Sequence, residues 1–146
     1  MFSRILQIAI PFVWFGAVAA ISFMEAPLKF TAPNITLPLG LEIGYIVFHA
    51  LNKVELFLCL VFLISLFTAK PNKKATTILF SIVAAILLLQ TFWLFPLLDE
   101  RTMQVIKGTA EPYSNLHIYY IVFDATKLIL LLALGIISTK SNLQVK

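Results

Sequence analysis

Residues 43–68 read IGYIVFHALNKVELFLCLVFLISLFT. The stretch exceeds the ~20 residues that cross a hydrocarbon core. Its polar residues His49, Asn52, Lys53 and Glu55 all fall in its first half. Backbone groups facing lipid must be satisfied within their own segment, so the stretch is predicted to be a transmembrane helix. Three further apolar runs match it: 5–24, where Pro11 is predicted to introduce a kink, 76–98 and 116–138.

The chain of 146 residues is 60% apolar and 12% charged, and its mean hydropathy is +0.96. A soluble domain carries about a quarter charged residues, and a water-soluble fold of this size could not hide so much apolar surface. The predicted fold is one all-α domain over residues 1–146, a four-helix transmembrane bundle running up-down-up-down. The MFSRIL start resembles a signal peptide. Its apolar run is too long and lacks a small-residue cleavage site, so it is read as a retained first span. The lone Cys59 excludes an internal disulfide. No internal repeat or low-complexity tract stands out.

Arg4, Lys70, Lys73, Lys74, Lys140 and Lys146 gather at one set of span ends, against Lys29, Arg101 and Lys107 at the other. The positive-inside rule counts basic residues alone and predicts both termini inside. The expected location is the cell membrane, multi-pass, and the inner membrane in a bacterium. The basic pI of 9.3 is thereby explained by topology, with the lipid bilayer as partner and no nucleic acid. Residues 69–75 are read as a short polar hairpin. The prolines of the 26–42 connection argue against regular helix there. Residues 99–108 are read as a short interfacial helix stopped by Gly108, and Ser114 is placed to cap the last span. Asn34-Ile35-Thr36 matches a glycosylation acceptor, a tripeptide common by chance.

Ionisable groups at membrane depth are costly and face a bundle interior or a watery cavity. The sequence offers Glu25, His49, Asn52, Lys53, Glu55, Gln90, His117, Asp124 and Lys127 as candidate binding residues, with Ser22 and Thr91 beside them. His49, Asn52 and Lys53 share one helical face; His117, Tyr120, Asp124 and Lys127 share another. Matched depth predicts two ion pairs, Lys53 with Asp124 and Glu55 with Lys127, four charges that sum to zero. The opposite half of the bundle offers only Cys59, Ser65, Ser81 and isolated small polar residues. The pattern is that of a polar cup open to the outside above an apolar floor. His49 and His117 are the metal candidates, of the type that ligates haem iron or copper. Wet interfacial histidines are the commoner outcome. Phe23, Phe30, Phe92, Trp93, Phe95, Tyr113, Tyr119 and Tyr120 are read as an outer aromatic belt.

Two stretches carry a family resemblance. One is SFMEAPLKF (22–30), followed by Ile43-Gly44, Val47-Phe48 and Asn52; the other runs from DERTMQVIKG (99–108) to SNLH (114–117). In order and spacing they resemble bacterial relatives of human transmembrane protein 205. The resemblance covers nearly the whole chain, implies a four-span helical fold without a particular reaction, and transfers to Pro27, Phe30, Gly44, Phe48 and His117. Separately, Asn52-x-x-Glu55 is similar to part of the signature of the membrane-associated proteins in eicosanoid and glutathione metabolism. That likeness implies a trimer with glutathione bound between subunits. Their signature has Arg four residues before the Asn, where Phe48 stands here.

Three functional readings stay open. The first is a non-enzymatic protein whose outer cup binds a small amphiphile, a lipid headgroup or a metal-bearing cofactor. The second is a glutathione-dependent transferase, and the third a structural or partner-binding subunit. No nucleophilic triad, zinc-ligand spacing or phosphate-cradling glycine loop is legible, so the reading leans away from an enzyme. The oligomeric state is left open, a homo-oligomer included.

Overall fold

The computed structural model describes residues 2–68, 74–111 and 114–143. It contains four long helices, α1 (Phe2–Thr31), α2 (Leu37–Thr68), α3 (Lys74–Ile106) and α4 (Asn115–Leu143); no strand occurs among the described residues. Their most apolar windows are only 28% to 39% buried. Large side chains such as Phe57, Ile64, Phe67 and Ile129 face outward, a surface that acyl chains solvate and water does not. Four helices of this length and composition are those of a multi-pass membrane protein.

Side-chain pairings set the topology. Gln7 reaches Ser65, and Trp14 reaches Glu55. Asn52 reaches Thr91, Gln90 reaches Lys127, and Asn142 reaches back to Gln7. Each consecutive pair is therefore antiparallel, as is α1 with α4. The core is Trp14, Val18, Leu51, Phe62, Phe80, Val83, Leu87, Leu131 and Leu134. The end bearing the 32–36 and 107–114 connections is called upper below.

The helices run longer than the predicted spans. Residues 26–31 continue α1, and α2 starts at Leu37, so most of the connection read as irregular is helical. Pro27 and Pro38 each occupy an early turn of a helical segment, where the missing N–H costs little. Residues 99–106 are likewise a continuation of α3 rather than a separate helix, and Gly108, at φ +71°, ends it as expected. Ser114 immediately precedes α4, and its carbonyl accepts from the His117 N–H at 3.3 Å. The predicted 69–75 hairpin lies outside the described residues except for Lys74 and Ala75, which begin α3; Pro112 and Tyr113 also lie outside them.

Two π-helical turns interrupt the α-helices, Ala19–Glu25 in α1 and Gln90–Leu94 in α3. Around Pro11 the chain stays α-helical, Phe2–Val18. Each π turn comes just before a proline, Pro27 or Pro96, whose ring would crowd the carbonyl four residues back. Widening the turn relieves that conflict. The N–H of Ala26 donates to the Ile21 carbonyl and that of Phe95 to the Gln90 carbonyl.

These two bonds are equivalent under a shift of sixty-nine residues, and so is much else. The shift carries Ser22-Phe23 onto Thr91-Phe92 and Pro27-Leu28 onto Pro96-Leu97. It also carries buried positions onto buried positions: Gln7 onto Thr76, Trp14 onto Val83, Val18 onto Leu87, Leu51 onto Tyr120, Glu55 onto Asp124 and Phe62 onto Leu131. The two hairpins, α1–α2 and α3–α4, thus repeat one pattern of burial, proline and π turn. The repeat that did not stand out in the sequence is plain once burial is laid over it.

Phe62 and Phe80 stack with centroids 4.8 Å apart at this core. Lipid gives helices no hydrophobic reason to associate, so packing carries the load. Phe62→Ala is expected to lower unfolding stability in detergent by about 3 kcal/mol. Phe67→Ala, at an 80% exposed position, is expected to change it by less than about 0.5 kcal/mol.

Candidate functional site

Lys127 lies on α4, one helical turn below Asp124, and has no exposed surface. Its ammonium has three hydrogens and three acceptors: Glu55 Oε1 at 2.5 Å, Gln90 Oε1 at 2.7 Å and Asp124 Oδ1 at 3.1 Å. The Trp14 indole donates to the same Glu55 oxygen at 2.8 Å. Gln90 Nε2 donates to Asp124 Oδ1 at 2.8 Å, and the Ser22 hydroxyl to Asp124 Oδ2 at 2.5 Å. The π turns present Ser22 and Gln90 to Asp124, each from the helix that a proline distorts. Beside this cluster, Asn52 donates to the Thr91 hydroxyl at 2.8 Å, and that hydroxyl bonds back to the Leu87 carbonyl. All four helices are tied at one level.

The expected Glu55–Lys127 pair is present; the expected Lys53–Asp124 pair is not. Lys53 is exposed on the outside of α2, and Asp124 is held by Lys127 three residues along its own helix. Successive helical residues point about 100° apart. The buried face of α2 runs through Gly44, Leu51, Asn52, Glu55 and Phe62, which leaves Lys53 off it. The buried set therefore has two carboxyls to one ammonium rather than four charges summing to zero.

Above the cluster, a cavity of about 440 Å³ opens at the upper end. Ser22, Tyr120 and Asp124 form its floor, and Phe30, Phe48 and Phe95 supply much of its wall. Phe95 and Tyr120 belong to the bundle interior, with Phe95 7% and Tyr120 5% exposed, instead of the predicted aromatic belt. Edge-to-face contacts join Tyr120 to Phe48 and to Phe95. Gly40 and Gly44 let the end of α1 lie close. A Cβ at Gly40 would sit 2.2 Å from the Phe30 ring, and one at Gly44 would sit 2.9 Å from Lys29 Nζ.

Of the candidate residues, His49, His117 and Asp124 line the cavity. Glu25 stands behind Lys29 at the mouth, 3.5 Å from its ammonium. Asn52, Glu55, Gln90 and Lys127 lie in the layer below and do not line it; Lys53 belongs to neither. His49 Nε2 lies 3.0 Å from Asp99 Oδ2, so that nitrogen is engaged. Among the described residues, no three His, Cys, Asp or Glu side chains converge as a metal-ligand set. Asn52 and Glu55 are both committed to partners inside the bundle.

Sequence reasoning missed Trp14, Lys29 and Asp99. An indole in an apolar span needs an acceptor for its N–H, and that signal was available for Trp14. Lys29 and Asp99 were assigned to connections, but the helices run on and bring both to the cavity. The Lys29 side chain is only 10% exposed, and its ammonium lies 5.4 Å from the Phe48 ring centroid and 5.6 Å from that of Phe30.

Removing one partner from a buried ion cluster leaves uncompensated charge, typically at a cost of about 3–5 kcal/mol. Lys127→Met strands two carboxyls and is expected to lose stability in that range. Glu55→Gln leaves the neutral Asp124–Lys127 pair and is expected to cost clearly less. Lys53→Met should change stability by under about 0.5 kcal/mol. Chemical unfolding of the three variants in one detergent gives the order. No protein-family model, no curated protein and no solved structure matches the chain.

Proposed function

We propose that this membrane protein binds a single-tailed anionic amphiphile, with its tail among the aromatic walls and its headgroup at Lys29. One observation carries the reading: Lys29 presents a nearly buried ammonium to the cavity with donor capacity unspent. Among the described residues its one ionic contact is Glu25, at 3.5 Å. Asp99 of the wall is already engaged by His49, and Asp124 by Ser22, Gln90 and Lys127. A cation short of acceptors in an apolar cavity is complementary to a carboxylate or phosphate that carries a hydrocarbon chain. The volume falls within the usual range of small-molecule sites. The sequence carries six basic residues at one set of span ends against three at the other, which favours an extracytoplasmic mouth.

The family likeness to relatives of human transmembrane protein 205 stands as a proposal beside this one. Its five carried positions, Pro27, Phe30, Gly44, Phe48 and His117, all line the cavity. A structural role is the second reading, favoured by the nearly complete internal satisfaction of the Glu55–Lys127–Asp124 cluster. It leaves the Lys29 ammonium without an explanation.

Dodecyl phosphate and dodecanoate, titrated by calorimetry into protein in nanodiscs, are expected to bind more tightly than dodecanol. Lys29→Gln should remove the preference, weakening the anions by about tenfold or more, the worth of a charge-assisted hydrogen bond. Equal binding of alcohol and anions, or no binding of any of them, would count against the proposal. Gly44→Leu, whose side chain would intrude on Lys29, should abolish binding. Native mass spectrometry of mildly solubilised protein distinguishes a co-purifying membrane lipid from a soluble amphiphile.

A further inference from the structure

A second buried polar layer lies at the lower end of the bundle. Gln7 donates to the Ser65 carbonyl at 2.9 Å and accepts from Asn142 at 3.2 Å. The antiparallel register that pairs Gln90 with Lys127 sets Thr76 level with Ser141. The hydroxyls of Thr76, Ser138 and Ser141 are buried, the residues being 2%, 0% and 6% exposed, and have no hydrogen-bond partner among the described residues. Elsewhere in the chain, four helical threonines satisfy themselves on the preceding turn. Thr68, Thr91, Thr126 and Thr139 each bond the carbonyl four residues back. Three buried hydroxyls without such a partner therefore stand out at this end of the bundle.

The place of these hydroxyls in the repeat gives them a meaning. Gln7 and Thr76 are equivalent positions of the two hairpins, and Gln7 meets Asn142 of the other hairpin, so the lower layer reaches the hairpin interface. The cavity lies there too: Ala26 with Phe95, Lys29 with Leu98, Phe30 with Asp99 and Phe48 with His117 are equivalent pairs that line it. Between the charged layer and the Thr76–Ser141 level, Phe62, Phe80, Leu131 and Leu134 close the bundle with apolar side chains, and Ser138 lies at the lower edge of this seal, level with Phe80. The bundle therefore carries an open cavity above, a charged layer, an apolar seal, and unpaired hydroxyls below. That is the layout of a repeat-built carrier caught open to one side.

We propose that the two hairpins rock against each other, closing the upper mouth and opening the Thr76–Ser138–Ser141 layer to water, so that the chain carries its anionic amphiphile from one face of the membrane to the other. The identity of the cargo rests on the cavity reading above; the motion does not. The Glu55–Lys127–Asp124 cluster, which joins α2 of one hairpin to α4 of the other, is the pivot. The prolines at 27 and 96, with their π turns, let the upper ends of α1 and α3 swing.

The test uses a Cys59→Ser background in reconstituted vesicles, with Ser138→Cys or Ser141→Cys introduced singly. Each change alters one atom, and two sites guard against a local loss of fold. A membrane-impermeant maleimide is applied from each face, with Leu131→Cys as the sealed reference and Lys74→Cys as the exposed one. The expected result is modification from the lower face only, at least tenfold faster than the Leu131 reference, with dodecyl phosphate changing the rate. In parallel, dithionite bleaching follows a fluorescent lysophosphatidate across the bilayer, which should move faster with protein than without. Thiols at 138 and 141 as unreactive as the Leu131 reference would overturn the motion. Reactive thiols with no accelerated lysophosphatidate movement would overturn the carrier. Reactive thiols whose rate ignores dodecyl phosphate, in protein that also fails to bind it, would leave the motion standing and remove the cargo reading alone.

Discussion

The ammonium of Lys127 has three hydrogens and spends each on a different side chain: Glu55 of α2, Gln90 of α3 and Asp124 of its own α4. Trp14 and Ser22 extend the cluster to α1. In lipid, helices gain nothing from the hydrophobic effect when they associate, so register must come from packing and from polar groups without other outlets. A slide of one turn along α2 or α4 would strand a charge in hydrocarbon, and one along α1 or α3 would strand a neutral polar group. That penalty holds four otherwise smooth apolar rods at a single depth. It also puts Asp124 at the floor of the cavity with its oxygens already engaged, which leaves Lys29 as the wall's reactive charge.

The cluster is also where two equivalent hairpins stop being equivalent. Glu55 and Asp124 occupy matching positions, as do the π turns that precede Pro27 and Pro96. Lys127 matches Leu58, and Lys29 matches Leu98. A symmetric pair of carboxyls thus acquired a single counter-ion from one side, and the cavity acquired a single cation from the other. The cavity is asymmetric through such differences: under the proposed function a ligand would meet Lys29 on one wall and Phe95 and Leu98 on another.

The four spans were legible because an apolar run longer than a bilayer has few other fates. The Glu55–Lys127 pair was legible from depth, since both helices enter from the same side. Lys53 was misplaced because three- and four-residue spacing groups residues on a face without saying which face is inward. The buried positions of α2 fix that only after Phe62 and Ser65 are seen to pack. Phe95 and Tyr120 were read as belt residues for the same reason: depth was visible and direction was not. Lys29 went to an irregular connection because of the prolines around it, and Asp99 to a separate interfacial helix, whereas α1 and α3 run on through both. The repeat escaped notice because its equivalences preserve burial more than identity, as Trp14 with Val83 and Gln7 with Thr76 show. The lower polar layer was dismissed as scattered small residues, since neither Gln7 nor Asn142 draws attention singly.

Solid-state NMR of the protein in lipid bilayers, with labelled lysine nitrogen and glutamate carboxyl carbon, reads the central contact directly. A strong dipolar coupling between Lys127 Nζ and the Glu55 carboxyl, lost in Glu55→Gln and untouched in Lys53→Met, is the result this account expects. A Lys127 ammonium that shows no such coupling and exchanges freely with water would contradict it.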